Sequence, residues 1–211
     1  MLNIWGVLSL LGSMAVMAPT GVAIALWLAA GKCWRLALNW CLLFGGGMAV
    51  VVLTKVAFIG WGIGVSSVEL AGFSGHAMRA AAIFPVAFFV LLKNAGPRAR
   101  VAGVAAGVVL AVLIAIARVV VHAHSVSEVV TGCLLGLAVA FAFIWHARAV
   151  REVVVSRVLI ALSLCGLLFT PTVEPVPTEQ WMQQLALYLS GHERPFQRGD
   201  WKVTQRPPSF R

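Results

Sequence analysis

Charge is scarce in this chain, and negative charge is scarcest. Only 11% of the 211 residues are charged, with seven Asp or Glu against sixteen Lys or Arg, while 61% are hydrophobic. A soluble domain of this length needs far more polar surface to solvate it, so soluble folds are excluded. The basic excess does not point to nucleic acid, because no set of aromatics interleaves with a basic face. Paired cysteines are absent too. Cys33, Cys41, Cys133 and Cys165 stand apart, in or beside apolar runs, with no C-x-x-C spacing. They read as packed thiols rather than a zinc or dithiol site. No basic residue precedes Lys32, and no small-residue cleavage site follows a short apolar stretch. The first segment therefore reads as retained, not as a removed signal peptide. No internal repeat is evident.

What the chain does have is long apolar runs. A bilayer core about 30 Å thick is spanned by roughly 20 apolar residues of helix. Six runs approach that length, at about 8–30, 36–54, 74–92, 99–117, 126–146 and 153–170. The expectation is an all-α polytopic membrane protein, a six-helix bundle over residues 1–170, followed by a tail at 171–211. Pro19 can kink the first run without breaking it, and the start of that run is expected along the interface. Small residues (Gly45-Gly46-Gly47, Gly103, Gly107, Gly132, Gly136) are expected to let helices pack closely. Trp5, Trp27, Trp34, Trp40, Trp61 and Trp145 fall mostly near span ends, as interface aromatics do. In the tail, "TPTVEPVPTEQ" reads as a proline-rich turn. "EQWMQQLALYL" then sets Trp181, Leu185, Tyr188 and Leu189 on one helical face, and suggests a short amphipathic helix on the membrane or on the loops. The last residues read as extended and loose.

The connections carry an orientation. Lys32 and Arg35, then Lys93, Arg98 and Arg100, then Arg148, Arg151 and Arg157 fall in alternate loops. By the positive-inside rule that side is cytoplasmic. The loops 55–73 and 118–125, the tail and both termini are then expected outside.

That outer side gathers the costly residues. His124 and Glu128 are spaced i, i+4, so they share one helical face. A carboxylate on one ring nitrogen fixes the tautomer and raises the basicity of the other, as a nucleophilic or basic histidine requires. Arg118 precedes them, and a guanidinium matches phosphate bidentately. Ser74-Gly75-His76 opens the third run, where a helix N-terminus welcomes an anion, and His76 there suits proton donation to a leaving group. Lys55 closes the second run. His122, two residues from His124, points elsewhere and reads as a loop or packing residue. Glu69 reads as a solvated acid within possible reach of Lys55. Ser190-Gly191-His192 repeats the tripeptide in the tail, and reads as coincidence.

These stretches resemble the type 2 phosphatidic acid phosphatase superfamily of membrane lipid phosphatases. Phe73-Ser74-Gly75-His76 is similar to its second signature. Ala117-Arg118, His124 and Glu128 are similar to its third, with Glu128 in the place of an aspartate. Lys55 fits the first, but Gly62-Ile63 stands where Arg-Pro is expected. The resemblance covers about residues 8–146. It implies that His124 attacks phosphorus to form a phosphohistidine, that Glu128 orients it, and that His76 is the general acid. It further implies that Lys55, Ser74, Gly75 and Arg118 cradle the phosphate, without metal or other cofactor. Arg79, one turn after His76, is a candidate substitute for the missing arginine or else a side chain snorkelling to the surface. Arg194 and Arg198 are weaker candidates.

The expected function is hydrolysis of a lipid phosphomonoester or diphosphate at the outer face of a bacterial inner membrane. An undecaprenyl diphosphate, phosphatidylglycerol phosphate or a lipid A phosphate would suit. The expected partners are the membrane and a lipid phosphate, with no nucleic acid. Transfer of the phosphoryl group to another lipid is the nearest alternative, binding without turnover is another, and a proton-coupled transporter comes from a different class.

Overall fold

A computed structural model of the chain describes residues 4–150, 156–168 and 177–204. The helices among them are α1 (Ile4–Leu11), α2 (Met14–Ala30), α3 (Trp34–Trp61), α4 (Gly75–Leu91), α5 (Pro97–Val120), α6 (Val126–Ala147), α7 (Arg157–Leu168), α8 (Thr178–Ser190) and α9 (Arg198–Thr204). No strand occurs among the described residues; one antiparallel bridge joins Val65 to Leu70 in the loop after α3.

Helices α3, α5 and α6 are each long and apolar enough to cross a membrane, and α1 with α2 makes a fourth span if that pair, bent by 42°, counts as one. The expected six spans are met to that extent. The first expected run is broken at Gly12-Ser13, not at Pro19, which lies inside α2. The second does not stop at residue 54. Helix α3 continues to Trp61, so its 28 residues measure roughly 42 Å, more than a hydrocarbon core of about 30 Å. Lys55 is therefore nearly two turns inside a helix that overruns the apolar layer, not at its end. The stop is Gly62, with φ 68°. The Gly62 and Ile63 N–H groups donate to the Phe58 and Ala57 carbonyls, a glycine-terminated C-cap that few other residues adopt without strain. Of the sixth expected run, α7 is described and packs on α2, where Trp27 Nε1 donates to Ser163 Oγ at 3.2 Å. Residues 153–155 and 169–170, and the proline-rich turn at 171–176, lie outside the described residues.

The centre of the bundle is α4. It has 17 residues, and 13 are buried, because α5 and α6 press against it through glycines. A Cβ on Gly107 would lie 2.7 Å from the Phe84 carbonyl carbon and the Pro85 nitrogen. One on Gly136 would lie 2.3 Å from the Met78 oxygen, and one on Gly132 2.5 Å from the Ser74 oxygen. Backbone meets backbone at these points, as in other small-residue helix seams. Gly45 and Gly46 face open space instead. Two tryptophans expected at the interface are in the core. Trp40 and Trp27 are buried, and Trp40 stacks on Phe44 and donates to the Gly21 carbonyl at 2.9 Å. Trp34, Trp61 and Trp145 remain exposed.

The far end of the bundle is pinned by Lys93, whose Nζ donates to the Ala147 carbonyl at 2.7 Å. A lysine on the last carbonyls of a helix satisfies acceptors that have no intrahelical donor. The ends of α3 and α5 and the starts of α4 and α6 meet at the opposite end.

Candidate active site

The start of α6 is fixed by a capping box. Ser125 Oγ accepts from the Glu128 N–H, and the Glu128 carboxylate accepts from the Ser125 N–H. Two N–H groups that the helix leaves unpaired are thus satisfied reciprocally. The same carboxylate does more. Its Oε2 lies 2.8 Å from His124 Nδ1, and its Oε1 accepts the Ala71 N–H at 3.1 Å. The Glu128 main-chain oxygen accepts the Ser74 N–H at 2.9 Å. One buried residue closes the helix, orients the histidine and ties down the loop that leads into α4. The longer glutamate side chain does reach the ring.

Ser74 caps α4, its Oγ accepting from the Ala77 N–H at 3.4 Å. His76 follows in the first turn, its ring centroid 6.5 Å from that of His124. Arg79 is buried, so it does not snorkel. It folds back toward the helix start, and a Cβ on Gly75 would stand 3.1 Å from its Nη1. Gly75 thus leaves room for the guanidinium beside the free N–H groups of the helix N-terminus. Arg118, in the last turn of α5, donates from Nη1 to Ser9 Oγ at 2.6 Å, which brings α1 to this end. The Nε atoms of Arg79 and Arg118 are both buried without a hydrogen-bond partner. A buried guanidinium and a half-buried one, each with an unused donor at one end of a bundle, are poorly satisfied by protein alone and suited to an anion. His122 is exposed with φ 56° and its ring nitrogen faces the Val119 carbonyl, a turn residue as expected.

The tail returns to this end and is neither extended nor loose through residue 204. Helix α8 forms as expected and packs on α3, with Ala186 buried and Tyr188 the most exposed of its large side chains. Glu179 pairs with Lys55 at 3.0 Å; Glu69, within reach of Lys55 by sequence, is not its ion-pair partner. Beyond α8, His192 Nδ1 lies 2.7 Å from the Gly60 carbonyl. The Phe196 N–H donates to the Ile59 carbonyl at 2.8 Å. The Phe196 and Trp201 rings both meet Phe58 edge-on. The second Ser-Gly-His stretch is thus a helix stop at Gly191, with φ 70°, and an anchor at His192. At the start of α9, Arg198 Nη2 lies 2.6 Å from Glu128 Oε2.

The Lys55 cation, and the hydrogen bond it donates, hold the Glu179 carboxyl below its usual range. A carboxyl depressed in this way favours the docked state above its free pKa of about 4.3 and loses that contribution as pH falls through its lowered value. Hydrogen exchange of α8 amides, corrected for intrinsic rates, should therefore be faster in Glu179→Gln than in wild type at pH 6. The difference should close well below pH 4.

A cavity of about 290 Å³ opens at this end, lined by Lys55, Gly75, His76, Arg79 and Glu179 and by the apolar side chains of Met14, Met48, Val51, Val52, Trp181, Met182 and Leu185. It is charged at one side and oily at the other. His124 and Arg118 do not line it. No group of three or more His, Cys, Asp or Glu placed to hold a metal ion occurs among the described residues.

The sequence-derived residues Lys55, Ser74, Gly75, His76, Arg79, Arg118, His124 and Glu128 are thus drawn from three helix junctions to one end of the bundle. Ser9, Ser125 and Glu179 were missed. For Ser125 the signal was readable: Ser-x-x-Glu before an apolar run is a capping-box pattern. Nothing local marks Ser9 or Glu179, since their partners are more than a hundred residues away.

Comparison with known proteins covers this same region. Residues 65–152 match the family described as "PAP2 superfamily", a stretch that holds Ser74, Gly75, His76, Arg79, Arg118, His124 and Glu128 but not Lys55 or the tail. A Klebsiella pneumoniae protein described as "Uncharacterized 22.5 kDa protein in cps region" is 33% identical over 201 residues, covering 93% of this chain and 96% of that one. No solved structure matches. With its site residues inside the matched stretch and a relative aligned almost end to end, the chain belongs to the PAP2 superfamily.

Proposed function

We propose that this protein hydrolyses a lipid phosphate through a phosphohistidine, at the outer face of a bacterial inner membrane. Members of the superfamily are phosphatases, and the apolar helices α3, α5 and α6 are of membrane-crossing length. The observation that carries the reading is the His124–Glu128 pair at 2.8 Å, set at the same bundle end as His76, the buried Arg79 and the half-buried Arg118. With Nδ1–H donated to Glu128, His124 keeps a lone pair on Nε2. That nitrogen attacks phosphorus, forming an N–P bond as the P–O bond to the lipid breaks. His76 gives its proton to the departing oxygen. Water then attacks phosphorus, the N–P bond breaks back to His124, and the water proton passes to His76. Arg79, Arg118, Lys55 and the Gly75 N–H at the start of α4 stabilise the charge on the equatorial oxygens, and in a site shielded from bulk water such fixed donors are worth far more than in solution.

The cavity suits a substrate with an anionic head and an apolar tail. Its charged side would take the phosphate and its Met, Val and Trp side the first part of a chain entering from the bilayer. In this reading α4 and α7 complete six spans, and the basic loops at Lys32, Lys93 and Arg148 are cytoplasmic. Hydrolysis is favoured over transfer because a cavity of about 290 Å³ leaves little room for a second lipid beside the first.

The test is phosphate release by purified protein from a panel comprising a polyprenyl diphosphate, phosphatidylglycerol phosphate, phosphatidic acid and a lipid A phosphate. Release from none of them would end the proposal. Arg118→Ala should cut kcat/KM by about 10- to 100-fold, the scale of a charge-assisted hydrogen bond, with KM raised and kcat lowered. Arg79→Ala should act in the same direction. If Arg79→Ala leaves both constants unchanged, Arg79 takes no part in phosphate binding.

A further inference from the structure

We infer that the C-terminal segment completes the phosphate site, with Arg198 supplying from the tail a guanidinium that the end of α3 does not provide. The inference rests on the proposed function for the identity of the ligand, and on geometry for the residue.

The end of α3 has no space for a large side chain at position 62. Gly62 lies at φ 68°, and a Cβ there would come 2.8 Å from the Phe196 ring. That ring belongs to the tail and is held in place. Its own N–H donates to the Ile59 carbonyl, it meets Phe58 edge-on, and His192 grips Gly60 nearby. The anchor fixes where residue 198 begins its helix. Two residues beyond the ring, Arg198 reaches Glu128 Oε2, the oxygen that also holds His124 Nδ1. The guanidinium is thus one carboxylate away from the reactive ring, although it comes from the far end of the chain.

Two features argue that this cation serves a ligand as well as Glu128. The Arg198 side chain is 43% exposed while Glu128 is 4% exposed, so the arginine reaches inward from an open edge and is not sealed into the core. A guanidinium also carries five N–H donors in a planar fork. One edge can stay on Glu128 while the other faces a phosphoryl group on His124. The tail contributes at a second point as well, since Glu179 sits on Lys55 and keeps that cation neutralised until a phosphate takes the carboxylate's place.

The experiment measures binding of inorganic phosphate and inhibition by orthovanadate, using the full chain in lipid nanodiscs. Arg198→Ala should weaken both about 10-fold or more, the scale of one charge-assisted contact. Arg198→Lys should recover part, because an ammonium is a point charge without the fork. Millimolar guanidinium ion should restore affinity to Arg198→Ala and leave wild type unchanged. Unaltered phosphate and vanadate affinity in Arg198→Ala would overturn the inference. A loss that guanidinium ion fails to restore would also overturn it, and would assign Arg198 to pinning the tail. Binding is read separately from turnover. A wild type that binds phosphate through Arg198 but hydrolyses no lipid phosphate would remove the proposed function and leave this inference standing.

Discussion

His124→Ala is expected to reduce phosphate release by about 10⁴-fold or more, the range seen when a covalent nucleophile is removed. The fold should survive the change. His124 lies before the N-cap of α6, and the capping box of Ser125 and Glu128 does not use its side chain. Circular dichroism and gel filtration should match wild type, so that the loss can be read as chemical. Glu128 is different. Glu128→Gln keeps the shape and one acceptor oxygen but removes the charge that stabilises a charged imidazole, and a loss of about 10²- to 10⁴-fold follows from a general acid–base role. Glu128→Ala should also unfold the start of α6, because Ala71 and Ser125 donate to that carboxylate. The intermediate gives an independent check. Brief reaction with a ³²P-labelled lipid phosphate should leave an acid-labile, base-stable label on wild type and none on His124→Ala. Equal labelling of the two would place the nucleophile elsewhere.

The two histidines should separate in kinetics. His76→Ala removes the donor to the leaving oxygen, so its effect should shrink when the lipid is replaced by an activated aryl phosphate whose leaving group needs no proton. His124→Ala should be equally poor on both substrates. A His76→Ala variant with the same defect on the aryl phosphate as on the lipid would remove His76 from the role of acid.

Much of this site was legible because its chemistry is local. His124 and Glu128 are one helical turn apart, and Ser74-Gly75-His76 is contiguous, so each cluster shows in a short window. Helix type was legible from composition, since few structures satisfy their backbone inside a bilayer. The break at Gly12-Ser13 was not, because an apolar run looks the same whether or not it bends. The true end of α3 was marked by Gly62, but Thr54-Lys55 interrupts the apolar run and drew the boundary forward. Arg79 was balanced between two readings that only burial could separate. The tail was the least legible part. Its anchors, His192 on Gly60 and Phe196 on Ile59, are a side-chain and a backbone hydrogen bond across more than 130 residues, and composition there resembles a loose end. The paired charges Lys55–Glu179 and Glu128–Arg198 follow from that docking and could not be seen without it.

The glycines show the same limit and support the second large effect. Seven were expected to seat helices, but they are not equivalent. A Cβ at Gly136 would lie 2.3 Å from the Met78 carbonyl oxygen and 2.7 Å from the Ala81 Cβ. The first of these is backbone in the first turn of α4, a helix that is packed on both sides and has nowhere to move. Overpacking typically costs about 1–3 kcal/mol when side chains can give way, and here they cannot, so Gly136→Leu should exceed that range and prevent a stable bundle. Gly132→Ala is the milder relative, yet it presses on the Ser74 oxygen at 2.5 Å and nitrogen at 3.2 Å. It should push the Ser74 turn off the Glu128 carbonyl and lower activity before it lowers stability. A Cβ at Gly45 or Gly46 meets nothing within 4 Å and both positions are exposed, so Gly45→Leu and Gly46→Leu should leave expression, melting temperature and turnover near wild type. The measurement is thermal unfolding in one detergent, with phosphate release beside it. If Gly136→Leu and Gly45→Leu melt alike, α4 and α6 do not meet at this seam, and the Ser74–Glu128 bridge that brings His76 to His124 loses its support.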